Sequence, residues 1–294
     1  MKKLLLIINP CSGKKKACRA LADIVNVFNR GGYDVTVYAT AARGDATATV
    51  ARRAEEFDLV VCAGGDGTFN ETISGLLEGC HRTPLGYLPA GSTNDFANSL
   101  HLSKDLVKAA RDIVEGKPRM LDVGRFNDRY FSYVASFGAF TRSSYAASQN
   151  AKNALGHFAY ILEGMKDLNT LRPYQIRLTA DSEVLDGEYL FGAVCNSTSI
   201  GGLMKLDPER VVLDDGKFEL LLIPNPKTAQ DLQNLVLALL NQEYDSQGLV
   251  FRHVSSIHLE TDEDLPWSLD GEYAASAPAV DISNCQRDMT MLLG

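Results

Sequence analysis

The stretch Gly64-Gly65-Asp66-Gly67-Thr68 constrains this chain most, because an apolar β-prone run (58–63) precedes it and a helix-like run (69–77) follows. Glycines at a strand-to-helix junction leave backbone N–H groups uncovered at the positive end of a helix, where a phosphate is bound well. The carboxylate of Asp66 cannot itself hold a phosphate, so an acid in this place suggests a nucleotide accompanied by Mg²⁺. Taken alone, the glycines are equally compatible with a tight surface turn.

Two more polar turns follow apolar strands and favour the nucleotide over the surface turn. We call residues 9–13 loop A, residues 64–68 loop B and residues 89–96 loop C. Turns at the carboxyl ends of strands in one open α/β sheet converge where such sheets bind ligands. None of the three has the Gly-Lys-Ser/Thr spacing of a Walker loop or the GxGxxG pattern of a dinucleotide fold.

Bulk properties exclude several classes of protein. The 294 residues allow about two domains. A formal net charge of −8 argues against a nucleic-acid partner. The six cysteines form no CxxC pair, so neither a zinc ribbon nor a thioredoxin motif is expected, and reduced thiols in the cytoplasm are the default. No signal peptide is recognised, and the longest later apolar run, 235–240, is too short to span a membrane, so membrane contact is expected to be peripheral.

The order of elements predicts two domains of different architecture. Strands alternate with helices up to residue 115, which predicts an open, doubly wound parallel α/β sheet. The predicted strands there are 4–8, 33–38, 59–63 and 85–88, and the predicted helices are 14–29, 45–57, 68–77 and 105–115. Strands then dominate, which predicts an antiparallel, sandwich-like second domain. Its predicted strands are 120–126, 129–137, 174–179, 188–195, 218–223, 249–253, 256–260 and 279–282, and its predicted helices are 154–169 and 227–240.

Loops A, B and C, in this order, resemble the catalytic domain of the diacylglycerol kinase family, which bacterial lipid kinases share with sphingosine and ceramide kinases. The resemblance covers essentially the whole chain and is closest to the soluble bacterial enzymes. Loop B alone is less specific, since NAD kinases and phosphofructokinases carry related glycine-aspartate turns. The resemblance implies a phosphofructokinase-like nucleotide domain, residues 1–122 with 284–294 returning to it, and a β-rich lipid-substrate domain, residues 123–283.

The resemblance also implies that ATP lies across the three loops. Small residues let backbone amides approach the phosphates, while hydroxyl and amide side chains add hydrogen bonds. The implied nucleotide-binding residues are Asn9, Pro10, Cys11, Ser12, Gly13, Thr40, Gly65, Asp66, Gly67, Thr68, Phe69, Asn70, Glu71 and Thr93. For Asn94 and Asp95, an N-cap of the following helix is an alternative interpretation.

In the second domain, the Asp270-Gly271-Glu272 turn lies where the family has its catalytic motif, although alone it is typical of any strand-end turn. The resemblance implies that Glu272 is the general base and that Asp66 helps to hold Mg²⁺ or to steer that base. A structural Mg²⁺ is implied at Asp215, with the backbone carbonyls of Val212 and Lys217. The implied water-bridged acidic network includes Asp215 and, less firmly, Asp270.

The function expected from this resemblance is transfer of the γ-phosphoryl group of ATP to diacylglycerol, giving phosphatidic acid. Another lipid alcohol, such as a sphingoid base or phosphatidylglycerol, is an alternative acceptor, and NAD is a weaker one. A catalytically silent nucleotide or lipid sensor is a third hypothesis, disfavoured because Asp66 and Glu272 are both present. A peripheral protein at the inner face of the membrane and a possible homodimer are also expected. The stretches 138–140 and 154–160 are candidates for lining a lipid cleft.

Overall fold

The computed structural model describes residues 1–138, 172–200, 204–241, 243–244 and 248–294. The chain forms two compact units, Met1–Val123 with Gln286–Gly294 and Gly124–Cys285. The predicted helix 154–169 lies outside the described residues, as do the candidate cleft segment 154–160 and residues 139–140.

The first unit is built on a parallel sheet. Its strands are β1 (Lys2–Ile8), β2 (Tyr33–Ala39), β3 (Leu59–Gly64), β4 (Leu85–Pro89) and the end of the last strand of the chain, β17 (Ala279–Leu293). The order is β2-β1-β3-β4-β17, and neighbouring strands in this order pair in parallel. Every residue of β3 and β4 is buried, as expected of strands covered on both faces.

Helices cover both faces of this sheet. They are α1 (Lys16–Arg19), α2 (Leu21–Arg30), α3 (Asp45–Arg53), α4 (Asp66–Glu78), α5 (Asp95–Ser99) and α6 (Leu106–Glu115). Helices α2 and α6 pack over Leu4, Leu6, Leu59 and Val61 on one face. On the other face Cys62 is hydrogen-bonded to Thr72 of α4, and α3 packs against α4. The predicted doubly wound arrangement is confirmed.

The predicted continuous helix 14–29 is wrong in its first part. Gly13, Lys14 and Lys15 have φ values of 48°, 58° and 64°, in the left-handed region. A right-handed helix cannot run through such backbone, so a 3₁₀ turn (Ser12–Lys15) and the short α1 precede α2. The helix predicted over 45–57 is likewise shorter in the structure: the α-helix ends at Arg53, and a 3₁₀ turn, Ala54–Glu56, follows it.

The second unit is mainly antiparallel. Strand β5 (Lys117–Phe126) leads into it. Its other elements are β6 (Arg129–Phe131), β7 (Val134–Gly138), β8 (Tyr174–Ala180), β9 (Glu183–Cys195), β10 (Ser199–Ile200), β11 (Met204–Lys205), β12 (Phe218–Pro224), α7 (Ala229–Asn241), β13 (Val250–Val254), β14 (Ser256–Glu260), β15 (Trp267–Leu269) and β16 (Glu272–Ala274). The main path is β16-β15-β7-β9-β8-β14-β17, and β12 pairs with β9 and β13. This confirms the predicted β-rich second domain.

Alternation of side chains fills the core of this unit. Along β8 every second residue is buried, which is the pattern of a strand with one face on the core. Trp267 lies in that core and meets the rings of Phe126 and Phe137 edge-on, at centroid distances of 5.0 and 4.9 Å. The short strands β15 and β16, which carry the catalytic turn implied by the resemblance, have no alternating run long enough to predict them.

Candidate active site

Loops A, B and C of the first unit meet at the carboxyl edge of its sheet. The Asn9 N–H donates to the Ala63 carbonyl at 3.0 Å, and the Ala90 N–H donates to the Gly64 carbonyl at 2.7 Å. A Cβ on Gly13 would lie 1.7 Å from the Ala90 oxygen, so loop A rests directly on loop C. A Cβ on Gly91 would lie 2.6 Å from the Gly65 Cα, so loop C rests on loop B. Gly13 and Gly91 are therefore required by close backbone approach.

This meeting point is the topological switch of the sheet. From β1 the chain crosses to β2 on one side, and from β3 it crosses to β4 on the other, so a crevice opens beyond the ends of β1 and β3. The Asn9 Nδ2 donates to the Thr68 Oγ1 at 3.0 Å across that point. The fold thus brings together residues that the sequence separates by more than fifty positions.

The start of α4 fits a phosphate. Helix α4 begins at Asp66, directly after Gly65, and the amides of its first turn have no partners within the helix. Gly65 has no side chain, so its backbone faces Gly91. A Cβ added to Gly65 would lie 3.8 Å from the Ser12 hydroxyl, which shows how close this hydroxyl is to the start of the helix. Backbone amides, hydroxyl groups and a half-buried carboxylate at Asp66 match the chemistry of a nucleotide phosphate with its cation.

Loop C is fixed by Asn94. Its side-chain oxygen accepts a hydrogen bond from the Gly91 N–H at 2.9 Å, and its amide nitrogen donates to the Gly91 carbonyl at 3.0 Å. Helix α5 starts at Asp95, and the preceding Asn94 makes no capping hydrogen bond with its side chain. Asn94 therefore occupies the predicted N-cap position without capping the helix through its side chain, whereas Asp95 is the first helical residue. Thr93, next to them, is exposed.

Three further predicted nucleotide residues are held by the protein itself. The ring of Phe69 is fully buried and stacks on Tyr87 and Phe96, at centroid distances of 4.2 and 5.3 Å. The Glu71 carboxylate accepts hydrogen bonds from the amides that begin α3. Thr40 donates its backbone N–H to the Ile8 carbonyl at 2.9 Å, which places it beside loop A.

Cys62 lies beneath loop B, and its thiol is unreactive. Burial raises the pKa of its thiol to about 12. The hydrogen bond with Thr72 lowers this pKa, while the negative charges of Glu71 and Asp66 raise it. The thiol therefore stays protonated at neutral pH, and since the thiolate is the nucleophile, a nucleophilic role is excluded for it.

In the second unit, Asp270 and Gly271 join β15 to β16 with φ values of 49° and 83°. Two central residues with positive φ define a type I′ hairpin turn, for which Asp-Gly is a preferred pair. Glu272, half-buried, is the first residue of β16 and lies opposite Leu269. The implied catalytic carboxylate thus follows a rigid two-residue turn.

Asp270 anchors that turn from inside the protein. Its carboxylate accepts hydrogen bonds from the backbone N–H groups of Ser132, Tyr133 and Val134, at 2.6, 2.9 and 3.0 Å, and from the Ser132 hydroxyl at 2.8 Å. Burial raises the pKa of the Asp270 carboxyl, and these four donors lower it and offset part of the rise. The predicted strand 129–137 breaks into β6 and β7 here, because residues 132 and 133 turn their amides toward Asp270.

The implied magnesium residues lie in a tight exposed turn. The Lys217 N–H donates to the Asp215 Oδ1 at 2.9 Å, and Gly216 between them has φ of 80°. One carboxylate with backbone carbonyls suits Mg²⁺, which keeps several waters. Within the described ranges, no group of three or more His, Cys, Asp or Glu side chains forms a metal cluster. Carboxylate and carbonyl oxygens suit Mg²⁺, Ca²⁺ or Mn²⁺ rather than Zn²⁺ or Cu²⁺, so the residues present fit the implied ion.

Within the part of the chain that the structure describes, no helix is both long and apolar enough to cross a membrane.

Comparisons with known proteins agree with this arrangement. The family model of the diacylglycerol kinase catalytic domain matches residues 3–126, and that of the YegS C-terminal NAD kinase beta sandwich-like domain matches residues 134–288. A diacylglycerol kinase of Bacillus subtilis (strain 168) is 35% identical over 280 residues, which cover 95% of this chain and 92% of that protein. The chain belongs to the diacylglycerol kinase family. The resemblance drawn from loops A, B and C is thereby confirmed.

Other members of the diacylglycerol kinase family extend the match. A diacylglycerol kinase of Staphylococcus carnosus (strain TM300) is 34% identical over 279 residues, covering 95% of this chain and 91% of that protein. The crystal structure of a presumed diacylglycerol kinase from Bacillus anthracis str. Sterne superposes with a TM-score of 0.84 at 26% identity. That match covers 100% of this chain and 97% of the other. The similarity therefore spans both units.

Proposed function

We propose that this protein is an ATP-dependent lipid kinase that transfers the γ-phosphoryl group of ATP to the hydroxyl of diacylglycerol, giving phosphatidic acid. The observation that carries the proposal is the junction of loops A, B and C at the positive end of α4, where glycines keep the backbone accessible. The choice of diacylglycerol as the acceptor is taken from the names of the similar proteins.

The first unit supplies nucleotide binding in this proposal. The phosphates lie against the first-turn amides of α4, and Asn9, Ser12 and Gly13 bind the nucleotide from loop A. Mg²⁺ supplies charge neutralisation on the transferring phosphoryl group when it is bound. Asp66, at the start of α4, holds that ion or steers the base.

The second unit supplies proton transfer. As the acceptor oxygen attacks the γ-phosphorus, the hydroxyl proton passes to the Glu272 carboxylate, and ADP leaves. The type I′ turn and the four hydrogen bonds to Asp270 fix the backbone from which Glu272 extends. Val212, Asp215 and Lys217 are assigned to a structural Mg²⁺ in the same unit. We expect the enzyme to act from the cytoplasm at the inner membrane face, as a homodimer.

The test is phosphate transfer from radiolabelled ATP with Mg²⁺ to diacylglycerol, a sphingoid base or phosphatidylglycerol, each in mixed micelles. Removing a general base costs about 10²–10⁴-fold in rate, so Glu272→Gln is expected to lose at least a hundredfold with ATP binding intact. Glu209→Gln, an exposed change in the same unit, serves as the matched control.

Each outcome separates the hypotheses. Labelled phosphatidic acid that vanishes in Glu272→Gln supports both the acceptor and the base. Label in another lipid overturns the acceptor while keeping the kinase. ATP binding without transfer to any of the lipids favours the silent sensor. Transfer that survives Glu272→Gln overturns the proposed base.

A further inference from the structure

Glu71 stands on α4, but its carboxylate serves the neighbouring helix α3. One oxygen accepts a hydrogen bond from the Gly44 N–H at 2.8 Å, and the other accepts one from the Ala46 N–H at 3.3 Å. The backbone carbonyl of Glu71 accepts a third, from the Thr47 hydroxyl at 3.0 Å. A negative side chain thus lies at the start of α3, where the helix dipole and unpaired amides favour an anion.

Two helices of similar character begin along the same edge of the sheet. Helix α3 follows β2, and α4 follows β3, so both present their positive ends near the carboxyl ends of parallel strands. Either is long enough to attract a phosphate. They differ in that Glu71 already bonds amides at the start of α3, where a single glycine, Gly44, precedes the helix, whereas two glycines, Gly64 and Gly65, precede α4.

The same carboxylate fastens the loop formed by residues 40–44. At one end of that loop Thr40 is bonded to Ile8 of β1. In its middle the Asp45 Oδ2 accepts hydrogen bonds from the Ala41 and Ala42 N–H groups, at 2.7 and 2.9 Å. At its far end Gly44 has φ of 84° and open space around a hypothetical Cβ, so side-chain packing does not hold it. The hydrogen bond to Glu71 ties this end to α4.

We infer that Glu71 is a positioning residue whose carboxylate acts as an internal anion at α3. It holds the 40–44 loop, and with it Thr40, against the nucleotide side of the sheet. It also leaves the start of α4 as the place for the nucleotide phosphates. The inference rests on the proposed function for the identity of the nucleotide, and it replaces the direct nucleotide contact that the family resemblance implies for Glu71.

The test compares Glu71→Ala, Glu71→Gln and the control Glu78→Ala, which lies exposed at the end of the same helix. ATP affinity is measured by direct titration, and the thermal midpoint is measured with and without acetate or inorganic phosphate. We expect Glu71→Ala to weaken ATP binding about tenfold or more through the loosened loop. Glu71→Gln is expected to lose less, since its amide oxygen still accepts one hydrogen bond.

Chemical rescue distinguishes positioning from contact. Acetate should restore ATP affinity to Glu71→Ala, and phosphate should raise its thermal midpoint more than that of the unaltered protein, because the α3 amides then accept an external anion. Weakened ATP binding with no rescue, and an equal loss in Glu71→Gln, would overturn the inference in favour of direct contact. Unchanged ATP affinity in Glu71→Ala would overturn it as well. The anion-dependent midpoints need no lipid and no ATP, so they remain decisive even if the proposed function fails.

Discussion

Two aspartates of the second unit, Asp181 and Asp270, hold turns by the same chemistry at different depths. Both have φ of 49°, and both accept hydrogen bonds from consecutive backbone amides. The exposed Asp181 accepts from Ser255 and Ser256 at 3.1 and 2.9 Å, whereas the buried Asp270 accepts from residues 132–134. Comparing the two aspartates therefore separates the effect of burial on the free energy of unfolding from the effect of hydrogen bonding.

Asp270→Asn is expected to destabilise the protein far more than Asp181→Asn. The NH₂ group of an Asn side chain would face buried backbone N–H groups, leaving donors opposite donors, and we expect this to lower the free energy of unfolding by about 3 kcal/mol or more. At the exposed Asp181 water can bond the same groups, so we expect a loss of about 1 kcal/mol. Urea unfolding of both variants measures the two costs. Equal costs would show that the buried amides do not depend on the Asp270 charge.

At the scale of elements, loop A depends on a contact that no local pattern reveals. Gly13 and Gly44 both have positive φ, at 48° and 84°. A Cβ on Gly13 would collide with the Ala90 oxygen of loop C, whereas a Cβ on Gly44 would meet nothing within 4 Å. Both positions therefore require a residue that tolerates positive φ, but only Gly13 also requires the absence of a side chain.

Gly13→Ala is expected to displace loop A from loop C and to reduce ATP affinity by about tenfold or more, since misplacement of a binding loop is costly. Gly44→Ala keeps the backbone N–H that bonds Glu71, so it should cost about 1 kcal/mol of stability through its backbone conformation and lower ATP affinity much less than Gly13→Ala does. Calorimetric titration with ATP and thermal unfolding check both. Similar ATP affinities for the two variants would contradict the assigned role of the Gly13–Ala90 contact.

For the whole molecule, the strand β17 contributes to the sheet of the first unit. Residues 286–294 belong to that unit, and Met291 of β17 pairs with Leu85 of β4. Met291 is fully buried, whereas Met120 of β5 is 51% exposed. The contact joins strands that are about two hundred positions apart in sequence, so residues that follow the second unit in the chain supply a strand to the sheet of the first unit.

Met291→Ala is expected to destabilise the protein by about 2–5 kcal/mol because it removes buried volume beside β4, whereas Met120→Ala should cost little. Chemical unfolding followed at probes in the first unit measures the difference. A cost at Met291 no larger than that at Met120 would mean that β17 adds no packing to the sheet.

The sequence by itself determined the alternation of strands and helices, the glycine-rich junctions at strand ends, and the family. These features follow from local rules: buried parallel strands are continuously apolar, and close backbone approach to a phosphate excludes side chains. The Asp-Gly pair likewise indicated a strand-end turn from two residues.

Only the tertiary structure decided which polar groups each functional residue meets. Phe69 and Glu71 follow loop B directly, yet the first packs under Tyr87 and the second bonds the start of α3. Asp270 finds its partners about 136 positions earlier in the chain. A carboxylate or an aromatic ring is compatible with several roles, and long-range packing selects one of them because a buried polar group must find its partner wherever the fold places it.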